Sequence, residues 1–193
     1  MLIFVKQLIG IAMTWIIVIV IVALILLWVV SVQNKLVKSD EFCNNALKQI
    51  NVQQISRFDA LQALVKLTRE YSSYEAETLE KIVKERKITS SPSPTPADID
   101  ANEKVLGEIG AKLIAVAEAY PDLKASQNYQ DTMKSIKEYE ENVRISRMTF
   151  NDTVTTFNRE VRSFPVSAVA GLLGFQKREY LADDVTKKDY PAI

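Results

Sequence analysis

The pattern of apolar and polar positions changes three times along this chain. From Leu8 to Val32 there is no alternation: no charge lies between Lys6 and Lys35, and the run Ile16 to Leu27 is wholly apolar. At about 1.5 Å per helical residue, such a stretch crosses a hydrocarbon core of about 30 Å. Residues 8–33 therefore read as a transmembrane helix behind a short tail at 1–7. A cleaved signal sequence would have a shorter apolar core and small residues at its exit, whereas the exit here is Trp28-Val-Val-Ser-Val-Gln-Asn34. Trp28 falls where an interfacial aromatic belongs, and Phe4 is its counterpart at the other end. Trp15 lies deeper, near an interface through tilt or against a partner helix. Lys35 and Lys38 close the anchor, and no Gly-xxx-Gly pair marks it for dimerisation.

Beyond Asn34 the period becomes helical. No Gly or Pro occurs up to Lys87, and apolar residues return every three or four positions: Leu36, Cys43, Leu47, Ile50, Phe58, Leu61, Val65, Leu79, Ile82 and Val83. The segment Thr89-Ser-Ser-Pro-Ser-Pro-Thr-Pro96 breaks any helix and makes a loop at 89–97. Asp98 or Asp100 is then expected to cap a helix that carries Val105, Leu106, Ile109, Leu113, Val116 and Tyr120 on one face. The last long helix repeats by four and three through Tyr129, Met133, Ile136, Glu140, Val143, Arg147, Phe150, Val154, Phe157, Val161 and Phe164, a coiled-coil-like seam ended by Pro165.

Length tests how these helices combine. A continuous helix over 35–87 would run about 80 Å, against about 35 Å for 98–120 and nearly 60 Å for 126–164. Three helices of such unequal length leave much of one seam uncovered. Either the first folds back near Ser56, where Ser56-Arg-Phe-Asp59 has the form of a capping box, or another subunit covers the seam. The break near Ser56, in a chain that also oligomerises, is the preferred expectation. The fold class is all-α: an N-terminal transmembrane helix, then an elongated antiparallel bundle of three to four helices over 34–164, with an apolar segment and tail at 165–193.

Charge and composition narrow the chemistry. The 24 basic and 24 acidic residues balance, so no basic field draws nucleic acid. With no His and one Cys, Ser-His-Asp and Cys-His mechanisms and most transition-metal sites are excluded. Cys43 shares its helical face with Leu36, Leu47 and Ile50 and reads as a small buried hydrophobe. Glu140 and Arg147 stand on a packed seam, where ionised groups are costly unless paired; Arg57 and Asp59 are the natural partners. The alternative is local rotation of the seam, with both charges reaching solvent. A carboxylate-only catalyst built on Glu140 lacks the Gly-rich loop or paired acidic ligands it would need, so no enzyme activity and no cofactor are expected.

The segment Val166 to Phe175 is uncharged and too short to span a bilayer. It docks on the bundle, touches the membrane surface or binds a partner, with Leu172, Leu173 and Phe175 as the contact residues. Lys35, Lys38 and Lys48 follow the anchor closely while Lys6 and the amino terminus precede it, a bias that puts the bundle in the cytoplasm and the N-terminus outside.

A family resemblance rests on Asn34-Lys-Leu-Val37, Ile50-Asn-Val-Gln-Gln54, Arg57-Phe-Asp59, Leu64-Val65, Tyr120-Pro-Asp-Leu-Lys-Ala125, Asn151-Asp152, Phe157-Asn158, Phe164-Pro165 and Ala170-Gly-Leu-Leu-Gly-Phe175. In this order they resemble the bacterial LemA family over nearly the whole chain. The resemblance implies a single-pass membrane protein with a cytoplasmic helical bundle, and a paired structural role for Glu140 and Arg147; one branch of the family is similar to proteins that help build magnetosome membranes. It supplies no reaction. Where the family usually has Leu-Ile-Pro-Asn-Leu-Val, this chain has Ala60-Leu-Gln-Ala-Leu-Val65, and the missing Pro weakens the case for a helix start there. The expected function is a self-associating scaffold that organises or shapes membrane, in contact with lipid and forming a homo-oligomer. The alternative is an adaptor or accessory subunit of another membrane complex, with an unlike protein partner.

Overall fold

The computed structural model describes residues 2–85 and 91–182, leaving out the side chains of residues 2–9, 11, 12, 82 and 85. The reading of Phe4 as an interfacial aromatic, the start of the 89–97 loop and the tail after Ala182 lie outside what is described. Among the described residues there is no strand. The helices are α1 (Leu2–Thr68), α2 (Ser73–Glu85), α3 (Pro96–Ala119), α4 (Pro121–Ala125), α5 (Gln127–Arg162) and α6 (Val166–Leu172). The all-α bundle expected from the periodicity is the fold.

The expected break near Ser56 does not occur, and α1 runs unbroken through it. Ser56 does not cap a new helix; its hydroxyl donates back to the Val52 carbonyl at 3.1 Å, the bond a serine makes inside a helix. With neither Pro nor Gly from residue 34 to 68, nothing there forces the chain out of helical dihedrals. The reversal comes at Arg69–Ser72, where Arg69 and Glu70 donate to carbonyls only three residues back, each at 3.2 Å. The Ser72 hydroxyl then accepts from the Glu75 amide at 3.4 Å and starts α2. Ser72-Ser-Tyr-Glu75 has the Ser-x-x-Glu form of a capping box. It was the better signal, and it places the fold-back one long stretch later.

The start of α3 corrects a second expectation. Neither Asp98 nor Asp100 is the cap. Thr95 is, with Pro96 at the first helical position. The Asp98 amide donates to the Thr95 hydroxyl at 3.2 Å, and the Asp98 carboxylate accepts from the Thr95 amide at 2.9 Å. That reciprocal pair holds the Asp98 carboxyl below its ordinary value, the Thr95 amide contributing most and the Thr95 hydroxyl next.

The chain divides into two compact units, the first taking residues 1–41 and 156–177 and the second 42–155 and 178–193. The core of the second unit gathers Leu61, Leu64 and Val65 of α1, Leu79 and Val83 of α2, Leu106, Ile109 and Leu113 of α3, Leu123 of α4, and Tyr129 and Ile136 of α5. Burial raises the Tyr129 hydroxyl above the ordinary phenol value, with the Glu118 charge adding to it. Seam positions Tyr129, Ile136, Val143, Phe150 and Val154 are all buried within the single chain, so no second subunit is needed to cover them. Cys43 is fully buried as well.

In the first unit, Val32 and Leu36 of α1 pack with Val169 and Ala170 of α6. Gly174, at φ 79°, takes the left-handed conformation after α6. The Phe175 amide thereby reaches back to the Ala170 carbonyl at 3.0 Å, the closing bond of a Schellman turn. Phe175 is thus returned to its own unit, edge-on to Phe157 with ring centres 6.4 Å apart.

Candidate functional site

Polar side chains enter the second unit along the buried stripe of α1. Gln54 and Arg57 lie three residues apart, in line with Ile50, Leu61 and Leu64, and are buried with them. The Gln54 side-chain amide donates to the Ile99 carbonyl at 2.9 Å and to Glu103 Oε2 at 3.1 Å. Arg57 Nη1 donates to Glu103 Oε1 at 2.7 Å, and Nη2 stands 3.9 Å from Glu140 Oε2. One carboxylate on α3 thus takes both donors of α1. The Glu140 side chain, 58% exposed, touches this arrangement from outside.

A second set of ties holds the segment after α6. Asn151 of α5 reads the backbone of Leu181 in both directions: its Oδ1 accepts from the Leu181 amide at 3.0 Å, and its Nδ2 donates to the Leu181 carbonyl at 3.3 Å. Arg147 Nη2 donates to Asp100 Oδ1 at 2.8 Å and to the Ala182 carbonyl at 2.6 Å. Arg178 Nη2 donates to Asn44 Oδ1 at 2.8 Å. The Leu181 side chain is buried. Short polar anchors therefore fix an extended segment that has no helix of its own.

Of the residues named from sequence, Arg57 and Glu140 meet, but only at 3.9 Å, and the close partner of Arg57 is Glu103. Arg147 pairs with Asp100. Asp59 is exposed and lines an open cleft of about 420 Å³ with Asp131, Ser135 and Tyr139. Gln54, Asp100, Glu103 and Asn151 were missed. A polar residue interrupting an apolar stripe was the available sign for Gln54, while the clamp made by Asn151 spans thirty residues and leaves no local pattern. Chemically these groups tie helices together, though Gln54 Oε1, Arg57 Nε and Arg147 Nη1 are buried without a hydrogen-bond partner. Among the described residues no group of three or more His, Cys, Asp or Glu is placed to hold a metal ion.

The anchor residues behave differently. Trp15 is 65% exposed and Trp28 39%, and every large apolar side chain described from Met13 to Leu27 is exposed. In the first unit Lys35 pairs with Glu160 at 3.0 Å, and Lys38 is exposed. Phe175 packs inward, while Leu172 is 88% and Leu173 38% exposed.

The sequence profile of the LemA family matches residues 46–193. The chain belongs to the LemA family. Among individual relatives, Protein LemA of Metamycoplasma hominis is 27% identical over 143 residues, covering 72% of this chain and 63% of that protein. Magnetosome protein MamQ 2 of Paramagnetospirillum magneticum is 29% identical over 92 residues, 45% of this chain and 34% of its own length. Magnetosome protein MamQ of Magnetospirillum gryphiswaldense is 28% identical over 89 residues, 43% of this chain and 33% of its own. The matched region thus spans about a third of the length of the magnetosome relatives. Family membership and the single N-terminal apolar helix describe a membrane-associated LemA protein.

Proposed function

We propose that this protein is a structural element of the bacterial inner membrane, held by α1 with its N-terminus outside and its bundle in the cytoplasm, which self-associates and organises the membrane around it. The observation that carries the reading is how the bundle uses its side chains. Arg57, Gln54, Arg147 and Asn151 are tied to other parts of the same chain. Large apolar side chains that the core does not use remain outside. Ile145 and Met148, a helical turn apart on α5, are 49% and 56% exposed. An exposed apolar pair at helical spacing suits contact between copies. The Lys35, Lys38 and Lys48 flank supports the orientation, and relatives named as magnetosome proteins support a place in membrane organisation.

The test is the mass of the full-length protein taken from its own membrane in native nanodiscs. A uniform assembly of several copies is expected, and the double variant Ile145→Glu, Met148→Glu should shift it towards the single chain. A wild-type monomer would sink the reading.

A further inference from the structure

Alpha-helix geometry fixes where the first unit stands against a bilayer, given the anchor reading above on which this inference rests. Leu8 to Trp28 covers about 31 Å, the thickness of the hydrocarbon core, and each headgroup layer adds roughly 5–8 Å. The next residues of α1, from Val29 to Leu36, rise only about 10 Å more. Those are the positions on which α6 packs: Val169 and Ala170 lie against Val32 and Leu36, with Val29 at the edge. Val32 and Leu36 thus stand about 6 and about 12 Å beyond Trp28, so α6 lies at the outer edge of the headgroup layer.

What α6 and the end of α5 show at that depth suits lipid rather than water. Phe164 and Leu172, at either end of α6, are each 88% exposed, the most exposed large apolar side chains described in the chain. Arg159 and Arg162, in the last turn of α5, are exposed beside them. Between α1 and this turn lies a cleft of about 260 Å³ with Val32, Leu36 and Val166 on its apolar side and Lys35, Arg159, Glu160 and Ser163 on its polar side. Glu160 holds Lys35 at the cleft edge at 3.0 Å. With Lys35 engaged by Glu160, the polar side keeps one net positive charge, on Arg159, and a cation above an apolar floor matches the phosphate of a phospholipid and the start of its acyl chains.

We propose that residues 159–172 form a bilayer-docking foot: Phe164 and Leu172 insert into the headgroup boundary, and Arg159, beside the Lys35–Glu160 pair, holds a phospholipid phosphate in the cleft. The single-pass anchor then has a second attachment, which fixes the rotation of its segment of α1 about the helix axis. Single apolar insertions of this kind are weak alone, but here the anchor has already brought them to the surface, so association is intramolecular.

The experiment uses full-length protein carrying Cys43→Ala and Leu172→Cys, the new thiol labelled with a small fluorophore, in nanodiscs of phosphatidylcholine with a tenth to a third of phosphatidylglycerol. Lipids spin-labelled at the headgroup or at the fifth acyl carbon serve as quenchers. The native Trp15 and Trp28 report the anchor in the same sample. Tryptophan quenching together with at least twofold quenching of the label is the expected result, and Arg159→Glu with Arg162→Glu should reduce the label's quenching by half or more while leaving the tryptophan signal unchanged. Quenched tryptophans with an unquenched label would overturn the foot and leave the anchor standing. A double variant with undiminished label quenching would overturn the phosphate contact. Unquenched tryptophans would remove the anchor and the foot with it.

Discussion

The two halves of α1 belong to one unbroken helix and end in opposite surroundings. From Met13 to Leu27 the helix is apolar on every side, and its large side chains are all exposed. From Phe42 to Thr68 the same helix buries one stripe, Cys43, Leu47, Ile50, Leu61, Leu64 and Val65, and that stripe also takes Asn51, Gln54, Arg57 and Thr68 out of solvent. Hydrophobicity alone would rank the first half as core and expel the polar residues of the second. Periodicity separates them: a helix apolar all round has no preferred face and needs an apolar solvent, whereas one with a stripe needs neighbours. Gln54 and Arg57 can enter the stripe because α3 and α5 present matching acceptors.

The largest test of this contrast removes the same kind of group from each half. Leu64→Ala deletes a fully buried side chain and should lower bundle stability by about 2–5 kcal/mol. Ile19→Ala takes a comparable group from a residue that is 64% exposed and should leave thermal unfolding in detergent within about 0.5 kcal/mol. Circular dichroism melts of the two full-length variants decide it. A large loss at Ile19 would mean that the first half packs against protein.

A smaller effect probes the polar part of the stripe. Arg57→Met keeps most of the volume but leaves Glu103 without its guanidinium partner. Breaking a buried pair costs about 3–5 kcal/mol, and since Glu103 is 29% exposed solvent screening brings the expected loss below that range, to about 2–3 kcal/mol. Combining it with Glu103→Leu should recover part of that loss. An additive double variant would show that the pair is not coupled.

How much of this was legible beforehand follows the range of each signal. The anchor, the seam of α5 and the all-α class are written in local periodicity, which survives without knowledge of neighbours. The fold-back was readable but misplaced: Ser56-Arg-Phe-Asp59 and Ser72-Ser-Tyr-Glu75 are rival start patterns, and the one with Glu at the third position prevailed. Arg57 could be singled out as a charge near an apolar face, yet its choice of Glu103 depends on how α1 and α3 are rotated, which periodicity does not set. The clamp by Asn151 on Leu181 was invisible because a side chain reading a distant backbone leaves no mark on either sequence.

That clamp gives the next prediction. Asn151→Ala removes two hydrogen bonds to one residue, each contributing about 0.5–1.5 kcal/mol net, so the segment 178–182 should open more easily by about 1–2 kcal/mol. The global melt should move less than for Arg57→Met. Exchange of the Leu181 amide should rise about tenfold while core amides of α3 keep their protection. Unchanged exchange would mean that Arg147 and the buried Leu181 side chain hold the segment unaided.

The smallest effect lies at the start of α3, where the stripe logic plays no part and a single cap sets the helix boundary. Thr95→Ala should cost about 1 kcal/mol near neutral pH. The Asp98 carboxyl, lowered by the Thr95 amide and then by its hydroxyl, adds a pH signature. A carboxylate whose folded value lies below its unfolded one, about 3.9 for Asp, stabilises fully above the unfolded value and loses that contribution as pH falls through the folded one. Wild type should therefore lose its advantage over Asp98→Asn as pH falls below about 4, a window set by that unfolded value. Thr95→Ala should show a reduced but not abolished pH dependence, because the amide that contributes most is still present. If Thr95→Ala erased the dependence altogether, the hydroxyl rather than the amide would be the main support of the carboxylate.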